Sequence, residues 1–129
     1  MSQISVLIVV DVEGALAGSL QENVYLVDTH KHVGSGREGQ AELQTACHDG
    51  DIINWAVVPV APTSDVEIHG FTGQMIDDGV CVPQPVQSPA GNYWQGRVEA
   101  RGTTGNQQYS VVLTMAGRQM TFDPFLAIS

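Results

Sequence analysis

Three short motifs place acidic, amide and histidine side chains in an order typical of binuclear metallophosphoesterases. They are Asp28 to His30, which reads D-x-H, then Gly50-Asp51, and then Gly91-Asn92 at the position of a G-N-H motif. In such enzymes, carboxylates and imidazoles hold two metal ions that polarise a phosphate. The third motif continues with Tyr93 where a histidine is needed, and 129 residues are too few for two sheets with flanking helices. We therefore do not predict a phosphoesterase.

A pair of histidines begins at the last residue of the first motif. His30 and His32 are two residues apart, so on an extended segment both imidazoles point the same way and could chelate a metal ion. The pair leads into a glycine-rich loop that ends at Gly39. We interpret the two histidines as solvated side chains, with a metal site as the alternative.

Two acidic turns could supply oxygen ligands to calcium. Asp49 and Asp51 flank one glycine, and Asp77 and Asp78 precede another. Calcium prefers such carboxylate oxygens, but neither cluster has the regular ligand spacing of an EF-hand loop. Asp-Gly turns account for both clusters without an ion. Calcium therefore stays open as an alternative to two plain turns.

Three aromatic side chains could form a stacking surface for a sugar. Trp55 and Trp94 are in phase with apolar neighbours in alternating segments, so we predict that both pack in the core. Tyr93 falls on the opposite face and stays available. Our predicted ligand-binding residues are Tyr93, Asn92, Asp77 and Asp78.

Composition and charge limit the classes of function. The formal net charge is −9, from five Lys and Arg against 14 Asp and Glu, which argues against binding nucleic acid or an anionic membrane. Two cysteines, Cys47 and Cys81, are too few for a disulfide framework and lack zinc-site spacing, so we expect free buried thiols, with one bridge as the alternative. Serine-nucleophile motifs, glycine-rich phosphate loops and Cys-His pairs are absent in recognisable form.

The alternation of apolar and polar residues predicts eight or nine short strands, the number expected of a sandwich or a partly closed barrel. A short helix is the alternative at the start of segment 40–47, and segment 13–19 reads as a turn or one helical turn. We expect hairpins between 40–47 and 52–60 and between 93–100 and 109–115, and a loop over 83–91. The predicted strands are 4–10, 23–28, 40–47, 52–60, 66–71, 80–82, 93–100, 109–115 and 119–122.

The opening run at residues 4–10, ISVLIVV, has apolar residues on both faces. It predicts a central strand covered on two sides. A signal peptide needs a basic start, but no Lys or Arg precedes Lys31. A bilayer-spanning helix needs about 20 apolar residues. We therefore expect a protein made and kept in the cytoplasm, with inclusions or non-classical release left open.

Five segments spread over nearly the full chain carry a resemblance to a known family. They are ISVLIVVDVEGAL at 4–16, NVYLVDT at 23–29, GDIINW at 50–55, YWQGRV at 93–98 and FDPFL at 122–126. In these segments the chain resembles the AidA/PixA family of bacterial proteins, often labelled inclusion body proteins. The resemblance implies a non-enzymatic protein in a quorum-sensing-regulated, host-association or virulence context, and it implies no catalytic residues.

These observations together predict a single all-β domain over residues 1–129, an antiparallel β-sandwich that is jelly-roll-like or a partly closed barrel. We expect it to form homo-oligomers, because short strands leave edges that pair unless they are protected. The alternative is a calcium-assisted, lectin-like module that binds a carbohydrate or another host ligand. We expect no cofactor, with calcium as the exception, and neither nucleic acid nor membrane as a partner.

Overall fold

The structure is a computed structural model that describes residues 2–30, 35–36, 39–89 and 91–129. Within these ranges it contains eleven strands and two short helices. The strands are β1 (Gln3–Val10), β2 (Val24–Asp28), β3 (Gln44–Cys47), β4 (Ile52–Pro59), β5 (Glu67–Thr72), β6 (Gln84–Ser88), β7 (Gly91–Arg97), β8 (Gly105–Gln108), β9 (Ser110–Met115), β10 (Arg118–Phe122) and β11 (Phe125–Ile128).

One layer is a five-stranded sheet in the order β2-β1-β4-β7-β6. Its central strand is therefore β4, and β1 lies beside it in parallel orientation. Along β1 the side chains alternate, with Ile4, Val6, Ile8 and Val10 buried and Leu7 exposed. β1 is an inner strand with a paired neighbour on each side, but the prediction that both of its faces are covered is wrong, because one of its two apolar faces points outward from the sheet.

The second layer is built around a long bent hairpin. β9 pairs with β10 and β8 pairs with β11, and both pairs are antiparallel. Only Tyr109 separates β8 from β9, and its backbone N–H donates to the carbonyl of Pro124 at 3.1 Å. Because a proline has no N–H to give, the ladder is interrupted at Pro124 and the hairpin divides into two three-stranded sheets. β3 adds to one sheet beside β11, and β5 adds to the other beside β9.

The core between the two layers is a single cluster of buried apolar side chains. At its centre the Trp55 ring packs against Phe71 and Tyr109, with ring centroids 4.9 Å and 5.8 Å away. Phe71 also contacts Trp94 at 5.5 Å, so both tryptophans face inward as predicted. The indole N–H of Trp55 donates to the hydroxyl of Tyr109 at 3.1 Å. Burial raises the pKa of that hydroxyl, which keeps it protonated.

The two helices are short. α1 (Val12–Ala17) begins after Asp11, whose carboxylate accepts a hydrogen bond from the Gly14 backbone N–H at 3.2 Å. This contact satisfies one of the amide groups that have no partner at a helix start. α2 (Gln74–Asp77) covers only four residues. Neither helix in the described ranges is long and apolar enough to cross a membrane.

Cys47 and Cys81 are free and buried, which confirms the prediction of free thiols. Burial raises the pKa of both thiols to about 12, and the nearby Asp51 carboxylate adds to the shift at Cys47. Near neutral pH both thiols are therefore protonated. A protonated thiol is a poor nucleophile.

The all-β class is confirmed, and several details of the pairing differ from expectation. The described strands number eleven, and the pairs β1 with β4 and β3 with β11 are parallel. Neither predicted hairpin forms, since β3 pairs with β11 and β7 pairs with β4 and β6. The predicted loop over 83–91 contains β6, an edge strand, which is a position that tolerates its proline.

We expect Tyr109→Phe to lower the free energy of unfolding by about 1–3 kcal/mol, because it leaves the buried Trp55 N–H without its acceptor. Urea denaturation followed by tryptophan fluorescence measures this change. Tyr25→Phe is the matched control, since Tyr25 is 45% exposed and the same hydroxyl is removed there. A Tyr109→Phe variant as stable as the Tyr25→Phe variant would contradict the prediction.

Candidate functional site

The outward side of the five-stranded sheet, here called the outer face, is unusually apolar. Strand pairing arranges its side chains in rows. The first row is Tyr25, Val9 and Val58, the second is Val27, Leu7 and Ala56, and the third is Thr29, Ser5, Asn54 and Gln95. In the first two rows Leu7, Tyr25, Val27 and Val58 are between 38% and 45% exposed. They are four of the six exposed large hydrophobic side chains in the described chain.

A groove of about 530 Å³ crosses this face along the second and third rows. Its floor lies at Ala56, and Leu7, Val27 and Tyr93 are among its walls. Two features open it. Ala56 has a small side chain, and the pairing of β4 with β7 ends at Trp55 and Trp94 although β4 continues to Pro59. The volume lies in the range of small-molecule sites, which is roughly 300–1,000 Å³.

The polar groups of the groove are mostly neutral amides and hydroxyls. Gln95 donates its amide N–H to Asn54 Oδ1 at 2.8 Å, and Thr29 Oγ1 accepts from the Ser5 backbone N–H at 3.1 Å. Asp28 also lines the groove but is only 8% exposed. Its carboxylate accepts from the His30 backbone N–H and from the Thr45 hydroxyl, both at 2.8 Å. The groove therefore suits an uncharged occupant.

The predicted ligand-binding residues separate into two places. Tyr93 and Asn92 both line the groove, and Tyr93 lies on the face opposite Trp94, as expected. Asp77 and Asp78 lie at the end of α2, where both are exposed, and neither is among the residues that line the groove. The structure thus places Tyr93 and Asn92 together at the groove, whereas the two predicted acidic residues lie at a different place on the protein.

The predicted metal ligands are engaged in backbone contacts. Asp51, 3% exposed, accepts from the Ser2 N–H with one oxygen and from the His48 N–H with the other, at 3.0 and 2.8 Å. Asp49 accepts from the Ala100 N–H at 2.7 Å. His30 Nδ1 lies 2.9 Å from the Ala46 carbonyl. His32 lies outside the described residues.

No group of three or more metal-ligating side chains occurs in the part of the chain that the structure describes. The acidic turn at Asp49 and Asp51 has a clear structural task instead. It holds the chain start and the turn after β3 with charge-assisted hydrogen bonds, which are stronger than neutral ones. The calcium hypothesis stays a prediction for these residues.

Both edges of the five-stranded sheet are covered or interrupted. At β2 the carbonyl of Leu26 accepts a hydrogen bond from the Gly39 N–H at 2.6 Å. At β6 the strand contains Pro85 and lies between Pro83 and Pro89. Proline and covering segments are the usual means by which an edge avoids pairing with another chain. These features restrict strand pairing at the two edges of this sheet, and assembly through strand edges stays a prediction.

Sequence reasoning missed the apolar members of the site, Leu7, Val27 and Ala56. Buried and exposed positions alternate along β1 and β2 in the structure, but the sequence does not show this alternation because residues on both faces are apolar. When both faces of a strand are apolar, its sequence does not show which face packs against a second layer and which face is in solvent.

The fold and the groove define an all-β protein whose outer face is apolar and uncharged along β1, β2 and β4. The chain belongs to the family described as Domain of unknown function (DUF8788), which matches residues 2–121. A comparison with curated proteins returned no match.

Solved structures give a clear likeness. The inclusion body protein PixA from Burkholderia cenocepacia J2315 superposes with a TM-score of 0.75, covering 99% of this chain and 95% of that chain. The two sequences are 12% identical, so the likeness concerns the fold. The resemblance to PixA-type proteins is thus supported at the level of architecture.

We expect Asp51→Asn to lower the free energy of unfolding by about 1–3 kcal/mol, because an amide can accept only one of the two backbone hydrogen bonds. Asp77→Asn is the control, as Asp77 is exposed. Thermal unfolding of both variants in calcium and in chelator measures the effect. If calcium raised the wild-type Tm and Asp51→Asn abolished that rise, Asp51 would be a calcium ligand and our assignment would be wrong.

Proposed function

We propose that this chain is a non-catalytic protein of the PixA inclusion body type that acts by self-association through its outer face. The observation that carries the proposal is the set of exposed apolar side chains on three neighbouring strands, Leu7, Tyr25, Val27 and Val58. Contiguous apolar surface of this kind marks interaction sites in proteins. The fold likeness to an inclusion body protein agrees with such a role.

Charge supports the same choice of surface. Each copy carries a net charge of −9, so two copies repel at long range. The outward positions of β1, β2 and β4, all in described ranges, hold no charged side chain. Contact there avoids placing like charges against each other. Salt weakens the long-range repulsion, since the screening length is about 8 Å at physiological ionic strength.

The area of the outer face determines how strongly we expect two copies to associate. The rows lie on three strands about 4.8 Å apart, and the rows are about 6.7 Å apart along the strands, so they cover roughly 300 Å². A standard interface buries about 800 Å² on each partner. We therefore propose weak association that depends on concentration, which high local concentration inside a cell favours.

The cellular setting belongs to the same proposal and comes from the family resemblance. We propose a cytoplasmic bacterial protein whose production follows cell density and whose role lies in host association or virulence. Assembly at high local concentration fits such a setting, because a weakly associating protein assembles only when it accumulates.

We expect wild-type protein to be monomeric at about 5 µM and to associate detectably toward about 1 mM, more strongly in 0.5 M than in 0.05 M salt, as expected for a small interface between like-charged copies. Sedimentation velocity across this range measures the effect. Val27→Lys should weaken association at least about tenfold, since it buries an unpaired charge.

Val82→Lys is the matched control for that experiment. Val82 is 47% exposed and lies outside the three rows, beside Gln95 and Arg97, so the same change in charge is made away from the apolar first and second rows. A wild-type protein that stays monomeric over the whole range would refute self-association. Equal effects of the two lysine variants would place the contact elsewhere.

A second candidate function is binding of a neutral carbohydrate in the groove. Tyr93 supplies an aromatic wall, and Asn54, Asn92, Ser5 and Ser88 place amide and hydroxyl groups around it. An aromatic wall with a few polar groups that fix orientation is typical of small-molecule sites, and the uncharged groups here match the hydroxyls of a neutral sugar. Because Asp77 and Asp78 do not line the groove, we propose that such binding needs no calcium.

A glycan array with and without chelator tests this candidate. We expect any bound glycan to be uncharged, to persist in chelator and to be lost in Tyr93→Ala but not in Tyr25→Ala. Tyr25 lies on the same face and does not line the groove. An array without signal at high protein concentration, or binding abolished by chelator, would contradict this candidate.

A further inference from the structure

We propose that the groove and a second cavity on the inner side of the same sheet form one binding site for a linear neutral oligosaccharide. The site passes between β4 and β7 beside Tyr93, which lines both cavities. The inference rests on the second candidate function, binding of a neutral carbohydrate in the groove, and adds the length and path of the ligand. A single sugar unit fills one cavity, and a chain of units fills both.

The second cavity, here called the inner cleft, has a volume of about 360 Å³. It is lined by Val57 and Trp94 from the five-stranded sheet and by Ile68 of β5 from the second layer. Like the groove, it lies in the range of small-molecule sites, roughly 300–1,000 Å³. Asn92 and Tyr93 line the groove and the inner cleft alike. The two cavities therefore meet near the start of β7.

The sheet is interrupted at this place. The ladder between β4 and β7 ends at the pair of Trp55 and Trp94, although both strands extend further. The residues that would continue the ladder in this register, all of which line one cavity or both, are Ala56 opposite Tyr93 and Val57 opposite Asn92. Because neighbouring residues on a strand point to opposite faces, Ala56 lies at the groove and Val57 at the inner cleft. The end of the ladder thus joins a cavity on one face to a cavity on the other.

The chemistry of the groove is repeated in the inner cleft. Tyr93 and Trp94 follow each other on β7, and each supplies an aromatic wall, Tyr93 to the groove and Trp94 to the cleft. Uncharged amides accompany both rings, from Asn54 in the groove, from Gln87 in the cleft and from Asn92 in both. A sugar unit offers an apolar ring face and hydroxyl groups, and a linear chain repeats both. Two successive sets of ring and amides therefore match a chain of sugar units.

Charge restricts the chain to neutral sugars. Among the described residues that line the inner cleft, the charged one is Glu67, which is exposed. At the groove, the Asp28 carboxylate is buried and already accepts two hydrogen bonds. With a net charge of −9 in addition, the protein repels uronic acids and other anionic sugars.

Neutral oligosaccharides of increasing length test the proposal, with cello-, malto- and chito-oligosaccharides as the probes. We expect the affinity to rise at least about tenfold from one unit to three, because burial of roughly 60 Å² of apolar sugar surface in the inner cleft is worth about that factor. Isothermal titration calorimetry measures the affinity of each chain length.

Tryptophan fluorescence reports which cavity the sugar occupies. Trp55 is fully buried and lines neither cavity, whereas Trp94 lines the inner cleft. A change in emission therefore reports contact at Trp94. We expect the three-unit chain to change the emission and the single unit to leave it unchanged.

Gln87→Ala should lower the affinity for the three-unit chain about fivefold, because it removes a hydrogen-bonding group of the inner cleft. It should leave the affinity for the single unit unchanged. Gln84→Ala is the matched control, since Gln84 is also an exposed glutamine on β6 but lines neither cavity.

The outcomes separate the inference from the function on which it rests. Equal affinity for one unit and three, or binding of the three-unit chain without a change in emission, would overturn the joined site and leave carbohydrate binding in the groove standing. Equal effects of Gln87→Ala and Gln84→Ala would also overturn the joined site. If no chain of any length bound, both proposals would fall.

Discussion

The packing of Trp55 between the two layers is the contact on which the rest of the structure depends. Trp55 is fully buried on the central strand of the five-stranded sheet, and it contacts Phe71 and Tyr109 from the second layer. Its indole N–H requires an acceptor in the core, and only a precisely placed hydroxyl from the bent hairpin supplies one. This pair therefore sets the position of one layer on the other.

The same contact determines the outer face. Because successive side chains on a strand point to opposite faces, a tryptophan held inward at position 55 sends Ala56 outward. β1 lies in parallel register beside β4, so the inward Val6 opposite Trp55 sends Leu7 outward beside Ala56. The hollow at Ala56 and the exposed apolar rows are thus consequences of how the core is packed.

The two edges of the five-stranded sheet restrict the pairing of further strands. The Gly39 amide occupies the edge at Leu26, and Pro85 interrupts the edge at β6. These two features and a net charge of −9 oppose strand pairing between copies at the five-stranded sheet. An uncharged apolar face still allows a limited contact between folded copies.

The alternation of residue types was enough to predict the all-β class, most strand positions, the inward direction of Trp55 and Trp94, and the free thiols, because these depend on local pattern and composition. It also placed Tyr93 opposite Trp94. It did not give the partner of each strand, since pairing of β3 with β11 joins segments about 80 residues apart and leaves no local signal. Nor did it separate the two apolar faces of β1. Which face meets the second layer was decided only by tertiary packing, because the pleat makes both faces equivalent until Trp55 and its hairpin partner bury one of them.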